Sequence, residues 1–245
     1  MASSSTRFVF PRLSNYALPV LTIMIIGGAL YVPVLARLAA HPVSLNVGYA
    51  PEQPIPYSHA LHVGQLGIDC RYCHHTVEKS DFAAVPSTQT CMNCHTNIRG
   101  EPGTVNYKKL EPAFASWESG KPIEWIKIHD LADYSYFNHA AHVNKGVSCV
   151  SCHGRIDHME IVWQDQPLNM GWCLECHRAP EEHLRPLGEV TNMGWDPRTH
   201  PVAIDAGLTG EDDREAAQRA VGLVLKEKYQ IQGEAYMTSC STCHR

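Results

Sequence analysis

The sequence predicts a mostly α-helical fold with much coil and little sheet, preceded by one membrane-spanning helix. Three observations predict it. The pattern Cys-x-x-Cys-His occurs five times in 245 residues, 16 prolines and 17 glycines break the chain into short elements, and one amino-terminal stretch is apolar and uncharged. Only five phenylalanines are present, too few aromatics to suggest a core made mainly of large side chains. The net charge of -5 leaves no basic footprint for nucleic acid, so nucleic-acid binding is excluded as a function class.

The repeated pattern stands at Cys70-Cys73-His74, Cys91-Cys94-His95, Cys149-Cys152-His153, Cys173-Cys176-His177 and Cys240-Cys243-His244, and these copies use all ten cysteines. Chance would supply roughly 0.02 copies at this composition. Cysteines at i and i+3 share one face of a helical turn, where their thiols reach the two vinyl groups on one edge of a single porphyrin; the histidine that follows reaches the iron. Zinc ribbons, disulfide scaffolds and iron–sulfur clusters each account for paired cysteines but not for the histidine after every second one. The pattern therefore predicts five covalently bound haem c groups, with His74, His95, His153, His177 and His244 as proximal iron ligands. Such plates would occupy interior space that side chains fill elsewhere.

Residues 16–36, "YALPVLTIMIIGGALYVPVLA", carry no charge. At about 1.5 Å rise per residue, 21 residues span roughly 31 Å, enough to cross a hydrocarbon core. Pro19, Pro33 and the Gly27-Gly28 pair suit a membrane helix better than a soluble one. A cleaved signal peptide is the competing reading, with "LARLAA" as a loose cleavage site. Arg7 and Arg12 precede the stretch, and between Arg37 and Arg71 there is no lysine or arginine. The positive-inside rule then leaves residues 1–15 in the cytoplasm and sends the haem-binding part to the outer, periplasmic side of a bacterial cytoplasmic membrane.

The expected organisation is a transmembrane helix over 16–37, a proline-containing linker over 38–54, a first dihaem module with its connector over 55–133, a second over 134–185, and a carboxyl-terminal helix with the fifth haem over 186–245. The division rests on an internal repeat: "YSHALHVGQLGIDCRYCH" from Tyr57 and "FNHAAHVNKGVSCVSCH" from Phe137 share an aromatic residue, HxxH and CxxCH, and each is followed by one more CxxCH. Between the modules, "KPIEWIKIHDLADY" reads as a short strand or extended segment. "TGEDDREAAQRAVGLVLKEKY" reads as a helix that Thr209 and Asp212 start, with Ala216, Ala220, Leu223 and Val224 on its buried face.

The HxxH pairs supply the first candidates for distal iron ligands, His59, His62, His139 and His142, because imidazoles one helical turn apart can serve two haems. His129 is the candidate for the fifth, with His75, Met159 and Met170 as further possibilities; a methionine would raise the potential of the haem at the fourth motif. His41, His158, His183 and His200 are expected to face solvent.

"YSHALHVGQLGIDCRYCHH" and "FNHAAHVNKGVSCVSCHG" resemble the HxxH-plus-CxxCH units of class III multihaem cytochromes c. Together with one membrane anchor, "PIEWIKIHDLADYSYFNHAAH" and "PLNMGWCLECHRAP", they make the chain similar to the pentahaem subunit of alternative complex III. The long connector that holds His129 departs from the class III pattern. The resemblance implies an electron-relaying subunit of a bacterial membrane complex that oxidises menaquinol. It implies as partners an iron–sulfur subunit, polytopic quinol-binding membrane subunits and a monohaem cytochrome c, with a periplasmic cytochrome c or cupredoxin as final acceptor. Two other classes compete: a stand-alone membrane-anchored quinol dehydrogenase, and a pentahaem reductase of the nitrite or hydroxylamine type, which needs one iron with an open position.

Overall fold

The computed structural model describes residues 11, 13–39, 41 and 45–244 and divides into two units, 1–45 and 46–245. Arg7 and Arg12, on which the orientation across the membrane rests, lie outside the described residues, as do most of residues 1–15. The first unit consists of helix α1, Ser14–Ala39, which is longer than the expected span by two residues at each end. Pro19 and Pro33 lie inside it, Arg37 stands in its last turn, and none of its residues is buried. At about 1.5 Å per residue its length is roughly 39 Å, so it is a candidate membrane span by length and composition.

The second unit is helical segments joined by coil, with no strand among the described residues; Val147 and Leu184 form an isolated bridge. The connector that reads as strand or extended segment is extended without a strand partner. Its backbone is satisfied at Ile126, whose N–H donates to Gln53 Oε1 while Gln53 Nε2 donates to the Ile126 carbonyl, each at 3.0 Å. One glutamine amide thus does what a neighbouring strand would do. Gly48 and Tyr49 likewise exchange backbone bonds with Gln164, so the end of the expected linker is part of the second unit.

The two modules share a construction. In each, the first motif forms a single helical turn, α2 (Cys70–Cys73) and α6 (Val150–His153), and the second motif occupies the end of a two-turn helix, α3 (Thr88–His95) and α7 (Met170–Arg178). The second HxxH lies on helix α5 (His139–Val143), whereas the first is carried by a π-helical turn, Ala60–Gln65, just after His59. Eight positions separate His62 from Cys70, but only seven separate His142 from Cys149. A π turn absorbs one extra residue without displacing the chain beyond it. Gly64 in this turn packs so closely on the 156–158 segment that a Cβ would lie 2.3 Å from the Asp157 carbonyl oxygen.

Helix α4 (Val105–Ser119), capped by the Thr104 hydroxyl, follows the first module and buries Ala113, Phe114 and Ser116. The side-chain core lies in the carboxyl-terminal part. There α8 (Pro201–Asp205) and α9 (Arg214–Lys228) enclose Leu184, Trp195, Ala203, Ala217, Val221 and Leu225. The expected helix is present, but two details differ. It begins as a 3-10 turn at Glu211–Asp213, where Asp213 rather than Asp212 accepts from the Gly210 N–H at 2.8 Å. Its buried face is Ala217, Val221, Gly222 and Leu225, rotated by one residue from the expected one, and Leu223 and Val224 are 51% and 46% exposed. The reason is Gly222, where an added Cβ would lie 1.8 Å from the Glu181 carbonyl oxygen. The closest backbone approach, not the most apolar stripe, chooses the inward face. Helices α10 (Glu234–Met237) and α11 (Cys240–Cys243) follow and carry the fifth motif.

Candidate haem sites

Each attachment turn places its two cysteines on one side of a short helix, as the spacing requires. Local capping holds several of them. The Asp69 carboxylate accepts from the Arg71 N–H at 2.8 Å to start α2, Asn138 caps α5, and Asn169 caps α7. Paired side-chain bonds to Arg71 hold the Asp69 carboxyl down to about 2, so it is ionised and capping at any neutral pH.

The histidines show how these turns fit haem. Nδ1 of His74, His95, His177 and His244 donates to the backbone carbonyls of Ala84, Ile98, Met237 and Tyr134, at 2.7–2.9 Å. His62, His139 and His142 do the same toward Ser58, Asp81 and Asn138. A carbonyl only accepts, so Nδ1 carries a proton in all seven, which makes Nε2 the nitrogen that can turn to iron. The tautomer is set by backbone placement.

Three pairs of rings face one another at a common spacing. Centroids are 6.2 Å apart for His62 and His95, 6.4 Å for His139 and His153, and 6.2 Å for His142 and His177. Two imidazoles on opposite sides of one iron, at about 2.0 Å per metal–nitrogen bond, would have centroids about 6.3 Å apart. Each HxxH therefore reaches a second-motif histidine with its later member. In the second module the earlier member, His139, faces the first-motif histidine. His59 is the counterpart of His139, and its ring lies near His74, whose charge adds to the burial that pushes His59 down to about 4. Its buried Nδ1 has no hydrogen-bond partner, so His59 lacks the carbonyl that fixes the tautomer of the other seven rings.

The aromatic residue ahead of each HxxH turns out to be structural. Tyr57 stacks on His62 at 4.4 Å and meets His59 edge-on at 4.8 Å. Phe137 stacks on His142 at 4.5 Å and meets His139 edge-on at 4.7 Å. In both modules one ring wedges two imidazoles apart. The sequence signal was the shared aromatic position in the repeat.

Other candidates fall elsewhere. The structure brings His129 to His153, edge-on at 4.4 Å, closer than two rings with iron between them would lie; its buried Nε2 has no hydrogen-bond partner. Beside His244 stands the Tyr134 ring, at 5.8 Å. His75 is exposed on its turn. Met159 is 0% exposed, and its carbonyl accepts from the Ala60 N–H, so it packs the first HxxH turn. Met170 is 68% exposed at the start of α7, whose own His177 already faces His142. His158 is exposed beside Arg155, and His200 caps α8 by accepting from the Val202 N–H. His183 departs from expectation: it is half-buried, and burial lowers its pKa.

Burial governs the electrostatics. It pushes His153 down to about 3 and lowers His142 and His129, so these imidazoles are neutral at pH 7, as iron ligation requires. It pushes Cys152 up to about 12 and Cys176 up to about 11, so both are thiols in the unreacted chain. No disulfide ties any of the ten cysteines.

Residues 38–119 match the model of the class III cytochrome c family. A multihaem cytochrome c subunit described as belonging to menaquinone reductase, from Nitratidesulfovibrio vulgaris (strain Hildenborough), is 31% identical over 157 residues, covering 54% of this chain and 70% of that one. The chain belongs to the class III cytochrome c family. The donor set of this class III cytochrome agrees: paired cysteines on short turns, and imidazoles whose Nδ1 donates to backbone carbonyls. The family match covers both motifs of the first module and α4, and the second module repeats the first in the wedge of its aromatic ring between two imidazoles.

Proposed function

We propose that this class III cytochrome holds five haem c groups, one at each Cys-x-x-Cys-His turn, and relays electrons within a quinol-linked membrane complex of the alternative complex III kind. The observation that carries the relay reading is the set of three imidazole pairs at 6.2–6.4 Å. Bound haem supplies one-electron chemistry between ferric and ferrous iron. The chain supplies the rest. His62 with His95, His139 with His153 and His142 with His177 would hold iron in pairs and so exclude substrate from it, the backbone carbonyls fix the tautomers, and the cysteine thiols would tether the ring edges. A site closed in this way passes electrons and leaves bond chemistry to its neighbours.

The quinone link is supported by the relative's description as a menaquinone reductase subunit. In the proposed complex, α1 anchors the chain in the bacterial cytoplasmic membrane with the haem unit on the periplasmic side. Its neighbours are an iron–sulfur subunit, polytopic quinol-binding subunits and a monohaem cytochrome c, and a periplasmic cytochrome c or cupredoxin is the acceptor. Electron relay of this kind has no intrinsic direction; the potentials of the partners would decide whether quinol is oxidised or quinone reduced. Purification of the native complex tests this: the named subunits should co-migrate, and haem quantification with intact mass should give five haems per chain. Reduction of the isolated chain by quinol alone would favour a stand-alone quinol dehydrogenase instead.

A second reading draws on the fifth turn, where the ring seen beside His244 is that of a tyrosine rather than an imidazole. An open axial position there would suit a reductase of the nitrite or hydroxylamine type. High-spin ferric iron in the purified protein would favour this reading, and an all-low-spin spectrum would dismiss it.

A further inference from the structure

We infer that the five attachment turns are arranged in space in the order second, first, third, fourth, fifth, so that electrons enter and leave the chain at the Cys91–His95 and Cys240–His244 turns. The inference rests on the relay reading above. Simple chain order would place the first turn at an end and the second against the third.

Four links establish the order. The second turn meets the first where Asn93 Nδ2 donates to the Tyr72 hydroxyl at 3.1 Å, one residue coming from inside each motif. The first meets the third on a shared segment: Thr191 Oγ1 donates to Asp69, the cap of the first turn, at 3.0 Å, while the Val190 carbonyl accepts from the N–H of Cys149 at 3.3 Å. Cys70 and Cys149 themselves lie side by side at this contact. The third and fourth share α5, whose His139 faces His153 and whose His142 faces His177. The fourth meets the fifth where His177 Nδ1 donates to the Met237 carbonyl, three residues before Cys240, at 2.8 Å.

Solvent exposure agrees independently. Of the ten cysteines only Cys94 and Cys240 are exposed, and they belong to the second and fifth turns. The three inner turns have every cysteine at least partly covered. The duplication explains the departure from chain order: the two modules join through their first motifs, Cys70 against Cys149, so each second motif points outward. The fifth turn then extends one arm, and the second turn is left as the opposite end. One electron taken up at one end is matched by one released at the other, with no bond made or broken.

The test places the five irons in the intact holoprotein by iron-edge anomalous diffraction, with each iron assigned to its motif by the thioether density. The expected order is second, first, third, fourth, fifth; contact between the second and third haems with the first at an end would overturn it. A kinetic measurement checks the consequence. With all ten native cysteines in thioethers, a photosensitiser can be attached at Gln232→Cys, near the fifth turn. After a flash, the injected electron should equilibrate over all five haems in the otherwise native chain. In Cys70→Ala/Cys73→Ala, which lacks the first haem, it should reach the third, fourth and fifth and lose the second. Prompt reduction of the second haem in that variant would overturn the order. If the electron does not spread in the native chain, the relay reading itself falls; if it spreads but the irons lie otherwise, only the order falls.

Discussion

Tyr57 and Phe137 show how a single ring sets two ligands. Each lies flat on one imidazole and edge-on to another, so it fixes the angle between the two HxxH side chains before any metal is present. The equivalence of the positions makes Tyr57→Phe a mild change, because Phe137 already performs the task without a hydroxyl. Tyr57→Ala removes the wedge and should cost about 2 kcal/mol. Thermal unfolding should report the loss, and, if His59 and His62 bind iron as proposed, paramagnetic resonance should show altered haem signals. The buried histidines set an acid limit. His59 and His153, held near 4 and near 3 against an ordinary 6.5, take up fewer protons folded than unfolded in that interval. Their contribution is therefore fully present above pH 6.5 and lost as pH falls toward 3. Iron on Nε2 acts in the same direction, since protons compete with the metal. An acid titration should convert low-spin to high-spin iron within this window, and loss on raising the pH from 7 to 9 would contradict the assignment.

At the scale of elements, short helices are held by their ends and by close approach. Asp69 caps α2, clamps Arg71 and accepts from Thr191, tying the first attachment turn to a distant loop. Asp69→Ala should cost about 1 kcal/mol from the cap alone, read as a lower denaturant midpoint of the holoprotein. Gly222 gives a sharper contrast. Alanine is the better helix former, yet Gly222→Ala would drive a methyl into the Glu181 carbonyl and should destabilise by on the order of 3 kcal/mol. Leu223→Lys, one position along, should change stability by no more than about 0.5 kcal/mol, because that side chain faces outward. If the two results were reversed, the inward face of α9 would be misassigned. The π turn at Ala60–Gln65 belongs to the same scale: it takes up the extra residue of the first module and keeps Tyr57, His59 and His62 in the geometry that Phe137, His139 and His142 have on an α-helix.

The whole molecule has two kinds of interior. Around α8 and α9 there is a side-chain core of Leu184, Trp195, Ala203, Ala217, Val221 and Leu225. Among the Cys-x-x-Cys-His turns, three pairs of imidazoles stand 6.2–6.4 Å apart, with the rings of Tyr57 and Phe137 against them. Chain expressed without haem attachment should therefore show hydrogen-exchange protection in residues 184–231 and little in 55–180, whereas the holoprotein should be protected in both. Equal protection of the two regions without haem would show that the attachment turns fold on their own.

Taken alone, the sequence determined the chemistry: ten cysteines and five histidines at fixed spacing, the HxxH pairs, the apolar amino-terminal stretch and the predominance of short helices and coil. These are local patterns, and thiol reach, turn geometry and membrane thickness act over a few residues. Three things needed tertiary structure. The carbonyls of Ala84, Ile98 and Met237 fix imidazole tautomers, and no residue type marks a carbonyl for that task. The inward face of α9 was chosen by the backbone of Glu181, which lies far away in the chain. The order of the attachment turns followed from how two copies of one module meet, because contacts such as Asp69 with Thr191 join residues that no local spacing relates.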